Sequence, residues 1–383
     1  MVDMETSMLA SRVVGFTFQS SMPANPSHSA TADRAAGAIV GAFIGDALGL
    51  GPHWYYDLDE LRQDYGEWID GYTEPKPDAR YHAGMKAGEL SQTGIIMLLL
   101  LRSLAERGTY DQADFTRLLD AELLPKLNGE PFAGPGGYTN HSFRQVWQAR
   151  VKEGKPWGET GGNADTSEAA ERVSLIAAMF ALDPFAAAKH ALDCCQLSQT
   201  DSLVAQHSVA FACVVAALVR GEPFDEHISD ILMDLVRDGT IPFVAKSSIA
   251  ASGTRREPFG FASPDAILLP SWIVEAAHDP AIQIDPPWKV SQVYGMSCAI
   301  NVVLPGAYYL AAKFPRDFES AVLHAINGGG QNMSRACLAG ALVGAQTGLS
   351  GIPSRFIEGL AEGETIVRLA RDVAEATENL RFA

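Results

Sequence analysis

Long stretches of the chain place apolar and small residues three and four positions apart, whereas alternating apolar and polar runs are scarce. Positions i, i+3 and i+4 share one face of a helix, so this spacing predicts helices throughout. Residues 35–47 read as a small-residue helix, 94–106 as a Leu-rich helix ending before Gly108, and 115–127 as a helix mixing charged and apolar positions. Thr166-Ser167-Glu168 opens an apolar helix running toward Asp183-Pro184; Asp165 or Thr166 is the expected cap. Thr200 or Ser202 caps a stretch over 203–220 that Gly221 stops. Segments 318–326 and 335–347 complete the main set, and the expected fold class is all-α.

Small residues recur along Ala36, Gly37, Gly41 and Gly45, and again along Ala336, Gly340 and Gly344, a spacing that lets helix backbones approach closely. With 383 residues, 47% of them hydrophobic, the chain can bury a large core. No Pro/Ser/Gly-rich linker interrupts residues 34–383, which are expected to form one domain. Residues 1–33 lack an amphipathic period and are expected outside the fold, as a disordered extension, a transit sequence or an expression remnant. Asp3 and Glu5 speak against an organellar signal.

A formal charge of −17 supplies no electrostatic footprint for a phosphate backbone, so no nucleic-acid partner is expected. The five cysteines, Cys194, Cys195, Cys213, Cys298 and Cys337, form no CxxC pair and read as small buried hydrophobes. Reduced thiols point to an intracellular, cytoplasmic setting. The longest apolar run, 95–101, is far too short to span a bilayer, and no membrane partner is expected.

Polar chemistry concentrates in loops. Gly88-Glu89-Leu90-Ser91-Gln92-Thr93-Gly94 and Asn327-Gly328-Gly329-Gly330-Gln331-Asn332-Met333-Ser334 are polar turns leading into helices. The first helix ends on Gly45-Asp46-Ala47-Leu48-Gly49, followed by Leu50-Gly51-Pro52-His53-Trp54-Tyr55-Tyr56. Gly134-Pro135-Gly136-Gly137-Tyr138-Thr139-Asn140 and Gly161-Gly162-Asn163 are Gly-rich but neither is a P-loop, because no Gly-Lys-Ser/Thr follows.

In this order, over roughly residues 34–380, these landmarks resemble the ADP-ribosylglycohydrolase superfamily. Gly51-Pro52-His53-Trp54-Tyr55-Tyr56-Asp57, Ala164-Asp165-Thr166-Ser167-Glu168 and Asn332-Met333-Ser334-Arg335-Ala336 are similar to the branch that includes the J-type crystallins of jellyfish lenses. The resemblance implies a compact orthogonal helical bundle. In metal-dependent relatives, it implies aspartate clusters holding two magnesium ions that position ribose and activate water. Matched residue by residue, Ser91 and Gln92 stand at the first pair of aspartates, with Thr93 retained. Gln331 and Met333 stand at the second pair, with Ser334 for threonine. No metal and no cofactor is therefore expected.

The remaining candidates carry two readings each. His53 can transfer a proton and Trp54 and Tyr55 can stack on a flat ring, or the three form a packed aromatic cluster. Asp165 and Glu168 serve as acid or base, or they start a helix. Tyr138, Asn140 and Asn163 contact a ligand, or they serve turns. Asp46 reads as a structural hydrogen-bonding group. The leading functional expectation is a small, polar, ribosyl- or glycosyl-type ligand held by Ser91, Gln92, Gln331 and Asn332, with hydrolysis by Asp165, Glu168 and His53 without metal. The alternative is a non-enzymatic, crystallin-like structural or scaffolding protein; magnesium-dependent ADP-ribosyl hydrolysis ranks last.

Overall fold

A computed structural model describes residues 29–241 and 264–380. The α-helices in chain order are α1 (Ala30–Leu50), α2 (Leu58–Tyr65), α3 (Gln92–Arg107), α4 (Gln112–Leu118), α5 (His141–Trp147), α6 (Glu168–Met179), α7 (Pro184–Gln196) and α8 (Ser202–Arg220). They continue with α9 (Ile228–Arg237), α10 (Pro264–His278), α11 (Val290–Tyr294), α12 (Ile300–Lys313), α13 (Phe318–Ile326), α14 (Asn332–Thr347), α15 (Ser354–Gly359) and α16 (Gly363–Leu380). Among the described residues the only β pairing is two isolated bridges, Gly162 with Gln199 and Thr166 with Ala299, so the chain is all-α.

The small-residue stripes explain the centre of the bundle. A Cβ added at Gly37, Gly41 or Gly45 of α1 would lie 2.3, 2.2 or 2.1 Å from the carbonyl oxygen of Gly344, Gly340 or Ala336 on α14. Only backbones without Cβ atoms meet this closely. At the end of the seam a Cβ on Gly49 would strike the Cα of Met333 at 2.3 Å. The loop leaving α1 and the loop entering α14 are thereby forced together. Helix α8 is long and apolar enough to cross a membrane by length and composition, yet 89% of its apolar window is buried, which makes it a core helix.

Several local expectations change. Residues 1–28 of the expected extension lie outside the described residues, but the fold begins before residue 34. Ser29 caps α1, and Asp33 accepts hydrogen bonds from the backbone and hydroxyl of Ser350 (3.1 and 2.6 Å). The single helix expected over 115–127 is a short α-helix, a π turn at Leu119–Leu123 and a 3-10 turn at Leu124–Lys126. Pro125 has no N–H to give and its ring crowds the preceding turn. Asp201, rather than Thr200 or Ser202, caps α8. Neither Asp165 nor Thr166 caps α6; Ser167 precedes the helix without a side-chain cap bond.

Candidate functional site

Asp46 anchors the site. It lies fully buried one turn before the end of α1 and accepts from the backbone N–H and hydroxyl of Ser91 (2.9 and 2.5 Å). Ser91 in turn caps α3 through Gly94 N–H (3.2 Å), and a Cβ on Gly94 would lie 2.2 Å from the Asp46 carboxylate. Burial raises the Asp46 carboxyl to about 6 against the pull of the Ser91 bonds. Asp46 is therefore the structural group its position suggested, fastening one polar turn to the seam.

The second turn is clasped to the loop after α1. Trp54 N–H donates to Gly330 O (3.2 Å), Gly330 N–H donates to Tyr55 O (2.7 Å), and the indole N–H of Trp54 donates to Gln331 Oε1 (2.7 Å). Trp54 takes a left-handed φ of 65°, a conformation that costs a bulky residue energy and persists only where its surroundings hold it. Gly329 and Gly330 are left-handed too, and a Cβ on Gly329 would lie 2.6 Å from Tyr55 O.

Together the two turns line one cavity of about 350 Å3. His53, Trp54, Ser91, Gln92, Thr93, Tyr138, Asn140, Asp165, Glu168, Gln331 and Ser334, all candidates from the sequence, border it. The 134–140 loop closes one side: Gly136 packs so tightly on the turn that a Cβ would lie 2.1 Å from Gln92 N, and Tyr138 stands edge-on to Trp54 at 4.6 Å. Gln199, fully buried, bonds Ala164 O (3.0 Å), Thr166 O (2.7 Å) and Ala169 N (2.9 Å), which carries Asp165 and Glu168 to the rim. Burial raises the half-buried Glu168 carboxyl above its ordinary value. Deeper, Glu171 is pushed up to about 8 by burial and then by the charge of Glu168.

A sequence model of the ADP-ribosylglycohydrolase family matches residues 27–381. The chain belongs to this family. It is 26% identical over 339 residues to an uncharacterized protein of Archaeoglobus fulgidus, covering 88% of this chain and 94% of that one. It is 24% identical over 361 residues to Crystallin J1A of Tripedalia cystophora, covering 90% of this chain and 97% of the crystallin. A solved structure titled ADP-ribosylglycohydrolase-related protein complex has the same fold, with a TM-score of 0.60 at 17% identity, covering 91% of this chain and all but 1% of that one (99%).

In this ADP-ribosylglycohydrolase-family chain the side chains that the resemblance matched to magnesium-binding aspartates are neutral and, Met333 apart, already paired. Ser91 gives its hydroxyl to Asp46, Gln92 bonds Thr139 Oγ1 (3.1 Å) and Asn140 N–H (3.3 Å), and Gln331 bonds Trp54 and Ser334 Oγ (2.9 Å). Met333 offers a thioether. A hard dication needs several oxygen ligands with negative charge, so this donor set does not fit a magnesium pair. Among the described residues no group of three His, Cys, Asp or Glu side chains is placed to hold a metal ion.

Three expected contacts fall elsewhere. Asn163 is exposed and accepts from Gln145 (2.9 Å), because Gly162 pairs with Gln199 and turns the loop outward. Tyr55 points away to Asp64, to which its hydroxyl donates (2.5 Å). Asn332 lies fully buried behind the wall, bonding His53 Nδ1 (2.9 Å) and Gly49 O (3.3 Å). His53 is no proton carrier near neutral pH: burial, then the neighbouring His82, lowers it to about 3. Asn140 caps α5 through Phe143 N–H (3.0 Å), so its carbonyl is committed. Sequence reasoning missed His82, Arg144 and Cys298, which also border the cavity. His82 comes from a stretch with no period to mark it.

Proposed function

We propose that this ADP-ribosylglycohydrolase-family protein binds a small polar ligand of ribosyl or glycosyl type, using neutral hydrogen bonds where metal-dependent relatives use magnesium. The observation that carries this reading is the convergence of the Ser91-Gln92-Thr93 turn and the Gln331 and Ser334 side chains on one cavity. Hydroxyls and amides both donate and accept, which suits sugar hydroxyls, and Trp54 and Tyr138 offer ring faces beside them. At about 350 Å3 the cavity falls within the size range of small-molecule sites.

If the bound molecule is hydrolysed, the cavity supplies two carboxyl groups. Glu168, held protonated more readily by burial, gives its proton to the departing oxygen; Asp165, exposed on the same wall, accepts a proton from the attacking water.

One observation favours the crystallin-like structural reading: the amides of Gln92 and Gln331 already satisfy their neighbours, as a permanently closed site requires. A thermal-shift screen over nucleosides, ADP-ribose and simple glycosides separates the two. Ligand binding predicts stabilisation by at least one class, lost when Gln92→Leu and Gln331→Leu are combined in a protein that still melts cooperatively. No stabilisation by any class supports the structural role.

A further inference from the structure

A second cavity, of about 620 Å3, adjoins the first along His53, Trp54 and His82, which border both. Its charged lining is lopsided: Glu60, Asp64 and Asp78 stand against Arg80. The Arg80 guanidinium lies over the rings of Tyr81 (5.0 Å) and Phe132 (5.9 Å) rather than in an ion pair with any of the three. Trp54, Tyr55, Tyr56 and Tyr81 supply ring faces, and Tyr56 is 58% exposed although it is a large aromatic side chain. Carboxylates among aromatic faces attract organic cations, because ring quadrupoles and negative charge act in the same direction.

Two buried imidazoles make a second, independent demand. His53 is 9% and His82 5% exposed. Asn332 gives its amide N–H to Gly49 O, so the Oδ1 facing His53 Nδ1 accepts, and the His53 proton sits on Nδ1. The Nδ1 of His82 faces Gly136 O (3.1 Å), which only accepts, so the same tautomer holds there. Each ring is left with an Nε2 lone pair; among the described residues neither has a protein partner, and that of His82 is buried. Burial lowers His53 to about 3 and His82 to about 4, so both stay neutral acceptors at neutral pH. An unpaired buried acceptor calls for a donor.

We propose that this second cavity binds a protonated aliphatic amine, its three N–H groups donating to the histidine Nε2 atoms and to one carboxylate, the others among Glu60, Asp64 and Asp78 acting through their charge, with its methylenes along the tyrosine rings. An anion is repelled by the carboxylates, and a neutral alcohol leaves them uncompensated. The two cavities share His53, Trp54 and His82, but this inference does not rest on the ligand proposed for the first.

Isothermal titration of the full chain at pH 7.5 with n-pentylamine, 1-pentanol and pentyltrimethylammonium tests this. The three probes share a chain and differ in charge and N–H donors. The amine is expected to bind one to one, and the Glu60→Gln/Asp78→Asn variant to bind it about tenfold more weakly, the scale of one charge-assisted hydrogen bond. Pentyltrimethylammonium, charged but without N–H, is expected to bind about tenfold more weakly than the amine to the unaltered protein. Both altered positions are exposed, so the melting temperature of the variant checks that folding is intact. Absence of saturable amine binding, equal binding by the variant, or equal binding of the alcohol or the quaternary ion would each overturn the proposal.

Discussion

Replacing Gly45 with Ala adds one methyl group where the structure has no room for it. The new Cβ would sit 2.1 Å from Ala336 O and 2.3 Å from Ala336 C, both of them backbone atoms that no rotamer change can move aside. Relief requires α1 and α14 to part by about 1 Å, which loosens contacts along the whole seam, because interiors are packed near crystal density. Overpacking of this kind costs ~1–3 kcal/mol, and the rigidity of the obstructing atoms puts this site at the upper end. The better helix propensity of Ala returns only about 1 kcal/mol. A net loss of about 2 kcal/mol is expected in urea unfolding, read as a lower midpoint at unchanged slope. Gly71→Ala is the control, since a Cβ there meets only Arg355 Nη1 at 3.7 Å and φ is not left-handed. That change is expected to be neutral or to stabilise by a few tenths of a kcal/mol, about the unfolded-chain entropy effect. Equal midpoints for the two variants would refute the close-approach reasoning.

The buried carboxyls set a pH dependence. Glu171 is raised to about 8 and Asp46 to about 6, so the folded chain holds both protons more tightly than the unfolded one. Their stabilising contribution is full at acid pH, below the ordinary carboxyl range, and is lost as pH rises through about 6 and about 8. Glu171→Gln is expected to flatten the fall in unfolding free energy between pH 5 and 8 by roughly a few kcal/mol; an unchanged slope would count against it. Magnesium titrated calorimetrically, alone and with ADP-ribose, is expected to show no tight two-site binding, because Ser91, Gln92, Gln331 and Met333 carry no negative charge. Tight two-site binding would show that other carboxylates move in to serve as ligands.

Much of the fold was legible locally. The boundaries expected for 318–326 coincide with α13, and the glycine stripes anticipated the α1–α14 seam, because period and side-chain size belong to the sequence itself. The order of the polar turns was enough to place the chain in its family, and Gln92 and Gln331 do line one cavity. Other features depended on groups brought from far along the chain. Asn332 reads as well as Gln331 in the sequence, yet the first turn of α14 points it behind the wall at His53. His82 carries no local signal, and becomes part of the wall only when the 134–140 loop folds over it. The neutrality of His53 and the raised carboxyl of Glu171 exist only once burial has stripped water from them. The sequence by itself determined helix period, glycine spacing and the neutral chemistry of the two turns. Tertiary structure decided which of those polar atoms face the cavity and which protons they keep, because direction and desolvation are set by neighbours that the chain supplies only when folded.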